Sequence, residues 1–272
     1  MLCPGTGHDR SGHGSGTGHD RSGHGYIRRV ITSVDNPRVK DVVRLRQGRE
    51  RRRARLFIAE GPREVERARA AGLTIVATYF APALLAWPDG EEVSERVLAK
   101  MAYRAEPEGV LAIVEAPVHE LPANGSLYLV AVGVEKPGNL GAMARTADGA
   151  GADALVVADA QADPWNPNAI RASTGAVFTL PIVEATLDEV RALPTRLVAA
   201  APGAPLAYTE ADLTERTTLA IGAEDTGLPD PWLAAADFRI SIPMHNGATD
   251  SLNAATAAAV ILFEARRQRA HT

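Results

Sequence analysis

Four short segments hold the side chains with chemistry in them. Asn139 and Arg145 lie in Gly138-Asn139-Leu140-Gly141-Ala142-Met143-Ala144-Arg145-Thr146-Ala147, and Glu224 follows Gly222 and Ala223 in Ile221-Gly222-Ala223-Glu224-Asp225-Thr226-Gly227-Leu228. Ile242-Pro243-Met244 comes next, and Ser251-Leu252-Asn253 opens a long Ala-rich stretch. Two glycine-bearing strand ends and a Ser-Leu-Asn helix start bring three backbone-rich turns together. Such a place holds a small, flat, polar ligand through main-chain groups. Gly222 is expected to be bare so that its backbone can approach that ligand, with Gly222→Val abolishing binding in a folded protein.

Arg145 sits among Ala142, Met143, Ala144 and Ala147, small residues along a face that should pack closely. That setting favours an arginine poised at a site over a solvated one. The helix start near Asn139 offers free N–H groups and the positive end of a dipole, which attract phosphate. Arg171 either pairs with a phosphate or bridges to Asp159 or Asp163, and the sequence leaves both open. Glu224 is either the partner of a site arginine or an orienting acceptor. His245 reads as an exposed loop histidine and stays outside the catalytic set.

Generic nucleotide sites fit poorly. Gly133, Gly138 and Gly141 are spaced by five and three, so the G-x-G-x-x-G fingerprint is absent, and only Asp159 stands near the usual ribose-binding position. No G-x-x-x-x-G-K-[S/T] occurs. Both a dinucleotide-dependent oxidoreductase and a P-loop enzyme are disfavoured.

The elements that position these residues follow from periodicity and punctuation. Leu127–Val134, Ala154–Ala158, Phe178–Val183, Leu197–Ala200, Leu219–Ile221 and Arg239–Ile242 read as short apolar strands. Helices are expected at Asn139–Ala150, Asn168–Thr174, Leu187–Leu193 and Leu252–Arg269. Apolar strands alternating with helices indicate a mostly parallel sheet covered on both faces. Upstream lies a small α/β unit, with a helix start at Asn36-Pro37, strands at Leu56–Ala59, Leu73–Phe80 and Gly109–Val114, and a helix from Arg63 to Ala71. Pro117, Pro122 and Asn124-Gly125 mark a linker. The expected organisation is a Gly/Ser/His repeat tail (residues 1–25), a small unit (26–116), a linker (117–125) and an α/β unit (126–272). The tail holds four of the seven histidines but is too polar and glycine-rich to offset its ordering entropy, so it receives no role.

With 272 residues, 46% hydrophobic and 23% charged, the chain can bury one or two real cores. Its apolar runs stop short of a membrane span, and no secretory signal is evident. Cys3, the single cysteine, rules out an internal disulfide and a Cys-based zinc site. A cytoplasmic protein is the simplest reading. The net charge of -4 conceals an asymmetry: residues 26–75 carry fourteen Lys/Arg against six Asp/Glu. A basic block on an acidic chain suggests a local polyanion contact, with Lys40, Arg49, Arg51, Arg52, Arg53, Arg55 and Arg171 as candidates.

The motifs taken together resemble the SpoU/TrmH family of RNA ribose 2′-O-methyltransferases, within the SPOUT superfamily. The family's N-x-G-A-x-x-R-T-A pattern matches Asn139 to Ala147, its G-x-E core matches Gly222 and Glu224, and its I-P-M and S-L-N elements match Ile242–Met244 and Ser251–Asn253. The segment from Asp163 through Pro167, Arg171 and Ser173 also looks like the family. Ala223 departs from it, standing where many members have Asn, and the loop between Met244 and Ser251 is about one residue longer than the family's usual one. The resemblance covers residues 122–272, and Asn36-Pro37-x-x-Lys40 with Phe57–Gly61 is similar to the family's small RNA-binding domain of ribosomal-protein L30e type.

That resemblance implies a C-terminal trefoil-knotted domain, a homodimer, S-adenosylmethionine as cofactor, no metal, and RNA as substrate. It implies cofactor contacts from Gly222, Ala223, Glu224, Ile242, Met244, Ser251 and Leu252. It makes Arg145 central, with Asn139, Glu224, Ser251 and Asn253 as its supporting catalytic set. The Arg-rich N-terminal block favours ribosomal RNA over tRNA. Arginine far outnumbers lysine and alanine is abundant, as GC-rich codons give, which adds a self-resistance enzyme, of the avilamycin or thiostrepton kind, as an expectation. A binding protein without activity is the competing class.

Overall fold

The structure is a computed structural model that describes residues 30–159, 162–245 and 251–270. The repeat of residues 1–25 lies outside the described residues. The chain builds two sheets in succession. The first unit contains α1 (Pro37–Arg44), α2 (Gly48–Ala54), β1 (Leu56–Glu60), α3 (Pro62–Ala70), β2 (Ile75–Phe80), β3 (Glu91–Glu92), α4 (Glu95–Met101) and β4 (Val110–Glu115). Its sheet runs β1-β4-β2-β3, antiparallel except for the short β2–β3 pair. Asn36 starts α1 as the sequence suggests, its side chain accepting from the Arg38 N–H at 2.9 Å ahead of Pro37. α4 was not visible in the sequence. Ser94 caps it, and its Val97, Leu98 and Met101 fill the core beneath Ile58 and Leu111.

The second unit contains β5 (Leu127–Val132), α5 (Pro137–Ala150), β6 (Ala154–Ala158), α6 (Pro167–Ser173), β7 (Ile182–Glu184), α7 (Leu187–Arg191), β8 (Arg196–Ala200), β9 (Leu206–Ala207), β10 (Thr217–Ile221), α8 (Asp230–Ala235), β11 (Phe238–Ser241) and α9 (Ala254–Arg269). The strand order is β7-β6-β5-β10-β8-β11-β9, and every pairing is parallel. β5, β6 and β10 are buried along their whole length because helices cover both faces. Leu127, Leu129 and Ala131 face the core shared with α5 and α9, while Val130 and Val132 face Val190 of α7 and Trp232 of α8. The strand expected at Phe178–Val183 starts later, at Ile182, because Ala176–Phe178 winds into a 3₁₀ turn that turns Phe178 inward.

Two close packings lock the frame. A Cβ on Gly141 would stand 2.2 Å from the Ala169 carbonyl oxygen, so this glycine lets α6 cross directly against α5. The two units meet where Phe57 of β1 stacks on Trp165 and Phe178 of the second unit, with ring centroids 4.8 and 5.7 Å apart. Such pairs each contribute about 0.5–1.5 kcal/mol beyond their buried area. Among the described residues, no helix is long and apolar enough to cross a membrane.

Candidate active site

The parallel sheet leaves a cavity of about 560 Å³ at the carboxyl ends of β8, β10 and β11. That is where open α/β sheets bind ligands, and the size lies within the roughly 300–1,000 Å³ of small-molecule sites. Gly222, Ala223, Glu224, Ile242, Met244, Ser251 and Leu252, the seven residues expected to surround a cofactor, all line it. Ile221, Ile240 and Ile261 extend the aliphatic wall. Glu224 and Asp225 supply carboxylates, and no lysine or arginine is present among the described lining residues. Such walls take a flat ring and tolerate positive charge. They do not suit a pyrophosphate, which tells against a dinucleotide.

Gly222 is needed for a reason other than ligand approach. A Cβ there would meet the Gly227 carbonyl carbon at 2.1 Å and the Leu228 nitrogen at 2.3 Å. The turn closes on itself, with the Gly227 N–H donating to the Ala223 carbonyl at 3.0 Å, so Gly222 is required by the loop before any ligand arrives. Gly222→Val therefore cannot leave the local fold intact, contrary to the sequence-based expectation.

Asn139, Glu224 and Asn253 come together beside the cavity from three separate elements. Asn253 caps α9, its Oδ1 accepting from the Ala255 and Thr256 N–H groups at 3.0 and 3.3 Å. Its Nδ2 donates to Asn139 Oδ1 at 3.2 Å and to Glu224 Oε1. The other Glu224 oxygen accepts from Lys136 Nζ at 2.5 Å. Hydrogen bonding from Lys136, opposed by burial and aided by Asn139 and Asn253, holds the Glu224 carboxyl below its ordinary pKa. Lys136, bonded to Glu224, is pushed up correspondingly. Neither group is poised as a base.

Lys136 escaped the sequence analysis. The available signal was a lysine in the loop after the first strand of the second unit, directly before Pro137 at the start of α5. Arg145, by contrast, does not pair with Glu224. It is exposed on α5, and among the described residues it has no hydrogen-bond or ion-pair partner. Ser251 lines the cavity mouth and is exposed, as is His245. Asp159, the acid weighed for a dinucleotide ribose, instead accepts from the Trp232 indole at 3.3 Å.

Comparison with known proteins fits this geometry. Residues 126–263 match the family model described as SpoU rRNA Methylase family, and residues 36–112 match an MRM3-like substrate binding domain. The 23S rRNA (guanosine(2553)-2′-O)-methyltransferase RlmP of Bacillus subtilis is 32% identical over 250 residues, covering 87% of this chain and 98% of the relative. The chain belongs to the SpoU rRNA methylase family. A 23S rRNA (uridine(2479)-2′-O)-methyltransferase of Streptomyces viridochromogenes is 38% identical over 177 residues, 60% of this chain and 61% of that relative. The solved SpoU methyltransferase AviRb of the same organism, in complex with AdoMet, superposes with a TM-score of 0.76 at 32% identity, covering 86% of this chain and 98% of AviRb.

For a SpoU methylase, the basic residues of the first unit are the natural RNA candidates, and the structure divides them. Arg49, Arg52, Arg53 and Arg55 are exposed on and just after α2, with Arg53 paired to Glu50 at 3.0 Å. Lys40 is exposed beside Asp35 at 3.3 Å. Arg51 is different: it is 3% exposed and spends its guanidinium on Asp163 and on the Leu45 and Arg46 carbonyls. It cannot contact RNA phosphates, because the α2 helix turns that one position into the seam. Arg171 bridges to neither aspartate; Asp163 is taken by Arg51, and Arg171 donates to Asn168 Oδ1 at 3.0 Å.

Proposed function

We propose that this chain transfers the methyl group of S-adenosylmethionine to a ribose 2′-oxygen of large-subunit ribosomal RNA. The observation that carries it is the cavity at the ends of β8, β10 and β11, walled by aliphatic side chains and two carboxylates, with the Asn139–Glu224–Asn253 cluster at its rim. Those residues fit the group: Ile242 and Leu252 offer apolar walls for a base, and Glu224 and Asp225 offer negative charge to a sulfonium or an ammonium. When bound, the cofactor supplies a methyl carbon made electrophilic by its sulfonium.

The chain's own residues have three tasks. Asn139 and Asn253, fixed by each other and by Glu224, orient polar groups at the rim. A guanidinium offers donors and no acceptor, so Arg145 is not the base. It clamps the target ribose and its phosphate, and the proton of the 2′-hydroxyl leaves to that phosphate. Lys136, kept protonated by Glu224, adds a cation for the RNA backbone. The basic face of the first unit holds the rest of the RNA.

The same reading gives the second unit a trefoil knot, makes the enzyme a homodimer with two cofactor sites, and places it in the cytoplasm with ribosomes. Phe263 of α9, 49% exposed, is an apolar side chain for a second copy to cover. Phe263→Glu should then shift sedimentation from dimer to monomer.

The direct test is incubation of unmodified 23S rRNA with the protein and S-adenosylmethionine, followed by mapping of 2′-O-methyl positions. One new methylated ribose supports the reading; cofactor binding with no methylation of any RNA overturns it in favour of a binding protein. Housekeeping and resistance roles separate by which nucleotide is marked and by drug sensitivity of a host expressing the protein.

A further inference from the structure

We infer that Tyr103 and Arg171, joined through Asn168 across the seam between the two units, form a binding site for one unstacked RNA nucleotide, its base on the Tyr103 ring and a phosphate on the Arg171 guanidinium. The inference rests on the RNA-substrate reading above and names a place on the protein where that RNA is held.

Tyr103 stands out among the aromatics of the first unit. Among its described residues, Phe57, Tyr79 and Phe80 are buried, and Trp87 lies half-covered beneath the Arg69 guanidinium, 5.5 Å from its ring centroid. Tyr103 alone of them is left 41% exposed. Yet it is held from both sides. Its N–H donates to Glu60 Oε2 at 2.9 Å, and the Arg104 N–H donates to Glu60 Oε1 at 3.2 Å, from a carboxylate only 5% exposed. Its hydroxyl accepts from Asn168 Nδ2 of the second unit at 3.3 Å. An exposed ring fixed at its backbone and at its tip pays little entropy when a base stacks on it, and such stacking tolerates any base.

Asn168 ties the ring to the charge. Its Oδ1 accepts from Arg171 Nη2 at 3.0 Å, while its Nδ2 holds Tyr103. Arg171 is exposed and has no carboxylate partner among the described residues. The acids nearby are turned inward: Glu60 is occupied by backbone N–H groups, and Glu64, 6% exposed, pairs with Arg104 at 3.8 Å. Glu108 stays exposed at the surface but is paired with Arg104. The surface therefore presents a ring and a guanidinium that no carboxylate claims, beside acids held by Arg104 and by backbone N–H groups. Proteins that read RNA take splayed bases on such rings. α6, which carries Asn168 and Arg171, crosses α5 at Gly141, two residues from Asn139. The nucleotide held here would flank the methylated one.

The test is binding of a fluorescently labelled 23S rRNA fragment containing the methylated nucleotide, with a fully paired duplex of the same sequence as control. Tyr103→Leu and Arg171→Gln should each weaken fragment binding by about tenfold or more, and raise KM while leaving kcat near its original value. Tyr103→Phe, which keeps the ring, should stay within about threefold. S-adenosylmethionine affinity and thermal stability should not change, and the duplex should not register Tyr103→Leu. Unchanged fragment binding by Tyr103→Leu overturns this inference alone, as does an equal loss on the duplex. A folded, cofactor-binding wild type that binds no RNA overturns the RNA reading and this inference with it.

Discussion

Arg51 and Asp163, 112 residues apart in sequence, form a buried ion pair with nitrogen and oxygen 2.7 Å apart. Arg51 also reaches the Leu45 and Arg46 carbonyls, and Asp163 accepts from the Trp165 N–H at 2.9 Å. Every strong group of the pair is thus partnered, which is the condition for a buried pair to be tolerated. The pair fixes α2 against the loop that leads into α6, beside the Phe57–Trp165 stack. The orientation of the first unit over the second is set by a charge pair and an aromatic stack together.

Removing one member should therefore be costly. Arg51→Ala leaves the Asp163 charge buried and uncompensated, and the expected loss is about 3–5 kcal/mol. Arg51→Lys should recover only part, because an ammonium cannot span the carboxylate and two carbonyls as the guanidinium fork does. Urea unfolding followed by tryptophan fluorescence measures this, through Trp165 at the seam. An Arg51→Ala protein as stable as the wild type would show the pair to be incidental.

Gly222→Ala should lower thermal stability and cofactor affinity together, since even a methyl group meets the Gly227 backbone. Leu252→Ala should separate the two effects. It removes an aliphatic wall of the cavity while leaving the turn alone, so cofactor affinity falls and Tm moves by no more than about 3 °C. Calorimetric titration and thermal unfolding of both variants decide it; a stable Gly222→Ala protein that still binds cofactor would refute the account of that turn.

The Lys136–Glu224 contact gives a pH dependence with a definite sign. Hydrogen bonding from Lys136 first, then from Asn139 and Asn253, depresses the folded-state pKa of Glu224 below the ordinary 4.5. A carboxylate depressed on folding contributes stability that is fully present above its unfolded pKa. That contribution fades as pH falls through the lower folded value. Lys136→Met should raise the Glu224 pKa, read by carboxyl-carbon NMR titration, and move the loss of site order to higher pH. A Glu224 titration that ignores Lys136→Met would mean the contact is absent in solution.

Much of this architecture was legible because it is local. The parallel sheet follows from apolar runs such as Leu127–Val132, and α9 from an alanine run opened by Ser251-Leu252-Asn253, though the helix starts at Ala254 and not at Leu252 because Asn253 caps it. The seven cavity residues were implied by the resemblance to the SpoU/TrmH family, which rests on motifs that are each contiguous in sequence. What was missed depends on contacts across the fold. Five arginines between positions 49 and 55 look alike in sequence, and only packing on Asp163 singles out Arg51. Lys136 becomes a site residue only once β10 lies beside β5 and brings Glu224 opposite it. α4 lies in a charged stretch whose three apolar residues reveal their face only against Ile58 and Leu111.

Arg145→Ala should leave S-adenosylmethionine affinity within a few-fold and eliminate methyl transfer, because its proposed work is on the ribose side. The free guanidinium on α5, unattached to Glu224, makes Arg145→Lys the sharper experiment. A point charge does not reproduce the fork, so the lysine variant should also fail. Full turnover by Arg145→Lys, measured with tritiated cofactor, would reduce the role of Arg145 to charge alone.

The arginine run now yields a cleaner experiment than the sequence allowed. Arg49, Arg52, Arg53 and Arg55 are exposed, whereas Arg51 is structural and must be left in place. Replacing the four exposed ones by Gln should weaken RNA binding and flatten its salt dependence by about 0.7–0.9 in log–log slope for each lost phosphate contact. Arg53 should contribute least, since Glu50 already holds its guanidinium at 3.0 Å. Cofactor affinity should stay constant, because the cavity is lined wholly by the second unit. RNA affinity measured across a salt series for the fourfold variant is the check; an unchanged slope in a protein with native stability would move the RNA contact to another surface.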